Sequence, residues 1–169
     1  MLQPQGKTAL PTHLLKRTYQ NELRAIGRYC DDKGFRHIGV YEVSEGFVLR
    51  GFCDPNDPFA ITAFEFPEED LQGLIMKNFT SRNGSSVSSH PAICPTGYED
   101  FFRALGYELE EDQAKGVVVQ ELPDLMVVTY LHLGSSSDSY VWEPKSVLLN
   151  AAQVEEMLDK GFRRRDSES

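Results

Sequence analysis

One segment of this chain is written twice. Shifted by 79 residues without a gap, residues 19–53 lie on residues 98–132, and Tyr19, Arg24, Ala25, Gly27, Val40, Glu42 and Val48 fall on Tyr98, Arg103, Ala104, Gly106, Val119, Glu121 and Val127. Leu23, Ile26, Val43 and Phe47 meet Phe102, Leu105, Leu122 and Met126. These matched apolar positions weigh more than the seven identities, because a common spacing of buried residues prescribes a common unit. Farther on the offset becomes 83, and Phe64, Phe66, Leu71, Leu74, Ile75, Lys77 and Phe79 lie on Val147, Leu149, Val154, Met157, Leu158, Lys160 and Phe162. The chain is therefore expected to fold as two copies of one unit.

Each copy reads helix, three strands, helix. Thr12 after Pro11 is the expected first N-cap, and Leu15, Tyr19, Leu23, Ile26 and Cys30 give one buried stripe that Gly34 ends. In the second copy Thr96 and Glu99 have capping-box spacing ahead of Tyr98, Phe102, Leu105 and Leu109. Strands are predicted over 37–43 and 47–53, joined by Ser44-Glu45-Gly46, and over 116–122 and 125–133, turned by Pro123-Asp124. The closing helices start at Pro67 with three acidic residues behind it, and at Asn150 with Gln153 three positions on.

The domain reading is a first αβββα repeat over 12–79, a linker rich in Ser, Gly and Pro over 80–95, a second repeat over 96–162 and a disordered tail over 163–169. The fold class is α+β, with antiparallel three-stranded sheets and the helices packed on one face of each. A sheet covered on one side alternates apolar and polar residues. Leu125-Met126-Val127-Val128 and Val117-Val118-Val119 do not alternate, so the second face needs a cover. The expected cover is the sister repeat, paired by pseudo-two-fold symmetry, or a second chain in a homodimer.

The αβββα order resembles the double-stranded-RNA-binding domain in topology. That family carries a Gly-Pro-x-His-type loop between its first strands and a lysine cluster opening its last helix. Here those places hold Ser44-Glu45-Gly46 or Pro123-Asp124, and Glu68-Glu69-Asp70 or Gln153-Val154-Glu155-Glu156, so no contact residue carries over.

Charge separates the copies. Residues 12–79 hold 8 Lys/Arg against 11 Asp/Glu, and residues 96–162 hold 4 against 13, in a chain of net charge −9. Phosphate backbones are bound through Lys and Arg, so nucleic acid is excluded as a general partner, and a protein with a neutral or basic surface is expected instead. No apolar run is long enough to span a membrane, and residues 1–9 lack a signal-peptide core. Three cysteines without paired spacing fit a reducing compartment, and the location expected is cytoplasmic.

Arg24 with Glu42, and Arg103 with Glu121, are the polar pairs repeated in both copies. They read either as ion pairs fixing helix on strand or as a pair of related binding sites in a cleft between the repeats. Cys53, His132, His90 and Cys94 are the zinc-compatible groups, without the spacing of a metal motif, so neither metal nor cofactor is assigned. Cys94 with His90 or His37 is the one conceivable nucleophile set, and no catalytic residue is assigned. Trp142, in a Tyr-x-Trp sequence, is a candidate partner anchor. The function expected from these residues is a non-catalytic, protein-binding adaptor, regulator or chaperone-like factor. The alternative is a small-molecule binder or enzyme with its site in the inter-repeat cleft.

Overall fold

Leu23, Ile26 and Cys30 recur at helical steps, and their stripe is fully buried in helix α1 (Tyr19–Lys33). A computed structural model describes residues 18–54, 56–57, 59–80, 93–134 and 141–168. Within it α1 starts later than Thr12: Thr18 has extended backbone and its side chain accepts from the Asn21 N–H. Residues 12–17 and most of the predicted linker, 81–92, lie outside the described residues. Gly34 ends α1 as predicted, with φ 71°.

Strands β1 (Arg36–Val43), β2 (Gly46–Phe52) and β3 (Thr62–Pro67) follow, then helix α2 (Glu68–Thr80). The second half repeats the order as α3 (Tyr98–Glu111), β4 (Lys115–Glu121), β5 (Met126–Leu133), β6 (Trp142–Leu149) and α4 (Ala151–Glu168). The capping box predicted for α4 is present: Asn150 N–H donates to Gln153 Oε1 at 2.9 Å and Gln153 N–H to Asn150 Oδ1 at 3.0 Å. Helix α4 then continues to Glu168, through the stretch expected as a disordered tail. Arginine is a good helix former, and a charge run alone is a poor stop signal.

Two three-stranded sheets were expected, and the protein has one. All pairings are antiparallel, and the order is β3-β2-β1-β4-β5-β6. The halves join where β1 meets β4, with Gly39 opposite Gln120, Val40 opposite Val119 and Tyr41 opposite Val118. Each three-stranded piece would otherwise leave that strand's N–H and C=O groups unpaired at an edge. The helices make one layer in the order α2, α1, α3, α4. Between layer and sheet lies a single core that includes Leu23, Ile26, Val40, Leu49, Phe102, Val119, Met126 and Val128. Each such side chain contributes roughly 1.5–3 kcal/mol by leaving water.

The second half therefore extends the sheet, and among the described residues no element covers its second face. Edge-to-edge pairing uses hydrogen bonds that stacking would have left open. Along the bare face Tyr41, Val48, Val118 and Val127 are half-buried by their neighbours, while Val43, Leu131 and Leu148 are exposed.

Candidate functional site

The residues singled out from the sequence lie where α1 crosses α3 above the β1–β4 junction. Tyr19 donates its hydroxyl to Glu42 Oε2 at 2.7 Å, and Val117 N–H reaches the same oxygen at 2.8 Å. Seventy-nine residues on, Tyr98 donates to Glu121 Oε1 at 2.7 Å and Ile38 N–H reaches it at 3.2 Å. Each glutamate thus holds a tyrosine of its own half and a strand N–H of the other. The Arg24–Glu42 and Arg103–Glu121 ion pairs expected from the sequence give way to these bonds. Arg24 Nε instead pairs with Glu99 across the junction at 3.1 Å.

Asp31, near the end of α1, accepts the Tyr98 N–H at 2.9 Å and the Glu99 N–H at 3.0 Å. It takes the role predicted for Thr96, because the start of α3 abuts α1, and it leaves Glu99 free for Arg24. Gly97, without a side-chain cap, occupies the N-cap position. In the other direction Tyr19 N–H donates to Glu110 Oε1 at 2.5 Å. The seam is filled: Leu23, Ile26, Tyr98 and Phe102 are at most 1% exposed. Burial first, then the Glu42 hydrogen bond and charge, pushes the Tyr19 phenol well above its ordinary range. Burial first, then the Glu121 charge and hydrogen bond, does the same to Tyr98. Burial, opposed by the Glu99 charge, draws Arg24 down. The charged groups here are spent on holding two halves together.

The other candidates are scattered. Cys53 follows β2 and His132 lies in β5, with β1 and β4 between them, and Cys94 is fully buried. Burial pushes the Cys94 and Cys30 thiols up, away from the reactive thiolate. His90 and Tyr140 lie outside the described residues. Among the described residues no group of three or more His, Cys, Asp or Glu is placed to hold a metal ion. Trp142 is 37% exposed on edge strand β6, with Lys115 Nζ 4.5 Å above its ring.

The most site-like feature was not singled out from the sequence. Between α3 and α4, over β5 and β6, a groove of about 470 Å³ has a floor of Leu105, Leu109, Val128, Val147, Leu149 and Met157. Polar groups sit at its rim. Lys145 Nζ reaches Asp112 Oδ2 at 2.9 Å, the Tyr130 hydroxyl donates to the same oxygen, and Lys160 Nζ pairs with Glu108 at 3.0 Å. The hydrogen bond from Lys145, then that from Tyr130, holds the Asp112 carboxyl below its usual range, and Asp112 raises Lys145.

A sequence signal for the groove exists. At offsets of 79 and 83, Tyr29, Phe35, Phe64 and Phe66 align with Glu108, Ala114, Val147 and Leu149. None of these four aligned positions in the second half carries a ring, although Tyr130, aligned with Gly51, brings one to the groove. Comparison with protein families, with curated proteins and with solved structures finds no match to this chain.

Proposed function

We propose that this chain is a non-catalytic binding protein, made of a duplicated αβββα unit paired about a pseudo-two-fold axis, whose receptor site is the groove of the second unit. The duplication draws support from contacts that recur under the exchange of residue i with i + 79. Tyr19–Glu42 recurs as Tyr98–Glu121, and Ile38–Glu121 as Val117–Glu42. The observation that carries the functional reading is the groove: about 470 Å³ over an apolar floor, with a few polar groups at the rim, is the form of a small-molecule site. Packed side chains fill the space between the halves where α1 crosses α3, and the hollow that does span them, about 290 Å³ over β1, β2 and the end of β4, is smaller and lacks an apolar floor like that of the groove.

The rim chemistry supports binding over catalysis. A general acid or base works best with a pKa near the operating pH, whereas Asp112 is driven down and Lys145 up. A thermal-shift screen of small molecules tests the reading, run beside Val147→Asp, which sets a charge on the floor. Ligands that raise the melting temperature of the native chain and not of the variant place the site in the groove. A broad library without a hit, or hits indifferent to Val147→Asp, removes it.

A second reading, the protein contact expected from the sequence, rests on the bare sheet face, where Val43, Leu131 and Leu148 are exposed. By register the described residues of that face also include Arg50 and Lys115 against Glu65, a positive excess in an acidic chain. A homodimer stacked through it would meet like charges and strengthen with salt. Light scattering is then expected to give twice the chain mass at high salt, and a single mass for Leu148→Lys. One chain mass at every salt and concentration removes this contact.

A further inference from the structure

We infer that the groove of the second unit receives an aromatic ring, carried by a free aromatic compound with a neutral hydrogen-bonding substituent. The inference rests on the groove being a receptor site, and adds what it is shaped to hold.

The argument starts from the first unit, where the same frame is closed. Phe64 lies opposite Leu49 and Phe66 opposite Phe47, as Val147 lies opposite Val128 and Leu149 opposite Met126, so the two floors share one strand register. Helices α1 and α3 both pack on the central strands and on each other. In the first unit the corner is filled by rings: the Tyr29 centroid stands 5.6 Å from Phe64 and 5.2 Å from Phe66, both edge-on, and Phe35 stands 5.8 Å from Phe64. These are favourable aromatic separations and angles.

In the second unit Val147 and Leu149 replace two of those rings. Glu108 takes the place of Tyr29 and turns to Lys160. Smaller or polar side chains thus stand on the same strand register where the first unit has Tyr29, Phe64 and Phe66, and the groove lies there, with Tyr130, aligned with Gly51 beside Phe35, as its one ring. Its walls still suit a ring. Met157 offers a thioether, which packs well against aromatic edges. Tyr130 is an aromatic neighbour held in place by Asp112. The rim groups are two cations, Lys145 and Lys160, against Glu108, Asp112 and Glu156. With both lysines already paired, an anionic substituent gains little, and a hydroxyl or ring N–H that donates to a carboxylate fits best.

The test uses the full chain with p-cresol and indole as aromatic probes, and cyclohexylmethanol and 1-hexanol as aliphatic ones. Binding is followed by methyl NMR shifts at Val147, Leu149 and Met157 and by melting temperature. The aromatic probes are expected to shift those methyls and raise the melting temperature, with the aliphatic probes severalfold weaker. Val147→Phe with Leu149→Phe, which restores the first unit's residues, is expected to melt higher without ligand and to lose the probes. If that double variant does not fold, Glu108→Tyr provides the same readout from the rim. Aliphatic probes binding as well as aromatic ones overturn the aromatic inference and leave the receptor reading standing. No binding by either class, with a destabilised ring-restored variant, overturns both. Tighter binding of a Trp-containing peptide than of indole overturns the free compound in favour of a protein segment.

Discussion

Gly106 in α3 approaches α1 so closely that a Cβ placed on it would stand 2.4 Å from the Cα of Gln20. Its counterpart Gly27 is placed alike, with a Cβ falling 2.6 Å from the Tyr98 carbonyl oxygen. Both neighbours are backbone, so no side chain can swing away. Gly106→Ala and Gly27→Ala must each push the helices apart and loosen the Tyr–Glu bonds beneath them, although alanine is the better helix former. Each is expected to cost about 3 kcal/mol, the upper end of overpacking penalties. Urea unfolding followed by circular dichroism measures this, and an unchanged midpoint would contradict the close crossing.

Gln20 matters for a second reason. Arg24 pairs with Glu99, and the residue that the same exchange sets beside Arg103 is Gln20, which carries no charge. The Nε of Arg103 is buried without a hydrogen-bond partner. Gln20→Glu is expected to supply the missing acceptor and raise stability by about 1 kcal/mol, the worth of one hydrogen bond to a charged group less its desolvation. The gain should vanish in Gln20→Glu with Arg103→Gln. If Gln20→Glu destabilises the chain, added negative charge outweighs the pair.

Two residues with ordinary side chains occupy left-handed backbone. His37 has φ 51° where the second half has Gly116 at 62°, and Gln113 has φ 53° where the first half has Gly34 at 71°. Each half has a glycine at the position where the other strains. The left-handed conformation costs a non-glycine residue roughly 1–2 kcal/mol, and glycine's extra freedom when unfolded returns part of that. His37→Gly and Gln113→Gly are each expected to stabilise by about 0.5 kcal/mol and to add when combined. Gly34→Ala and Gly116→Ala, with open space around both, are expected to destabilise through strain alone.

Much of this organisation was legible because burial imposes periodicity. Tyr19, Leu23, Ile26 and Cys30 mark α1, and the offset of 79 locates α3, β4 and β5 from residue pattern alone. What the residues did not disclose lay between the halves. Asp31 and Glu110 each meet the start of the other half's first helix, a long-range contact without a local signature, so Thr96 took the capping role in the sequence reading. The pairing of β1 with β4 was equally silent, since Val40 and Val119 look the same in a closed edge as in a stacked face. The groove was silent for another reason. Likeness at matching positions marks the shared frame, whereas the groove's signal is the unlikeness of Tyr29, Phe64 and Phe66 to Glu108, Val147 and Leu149.

The seam should also steepen the alkaline loss of stability. Burial, reinforced by Glu121, raises the Tyr98 phenol above its ordinary value of 10.0, and burial with Glu42 raises Tyr19 in the same direction. A proton held more tightly in the folded state stabilises fully below the unfolded pKa, and that stability is lost as pH rises toward the folded one. The unfolded chain releases both phenolic protons near pH 10 while the folded chain keeps them. Each tyrosine is therefore expected to take away about 1.4 kcal/mol per pH unit above about pH 10, on top of a loss that the buried Cys30 and Cys94 thiols begin near their ordinary 9.0. Tyr19→Phe with Tyr98→Phe keeps the rings and removes the protons. That variant should be less stable at pH 7, with Glu42 and Glu121 deprived of donors, yet lose stability less steeply above pH 10. Urea titrations at half-unit steps from pH 7 to 11 decide it, and an alkaline limb equally steep in both proteins would place the titrating groups elsewhere.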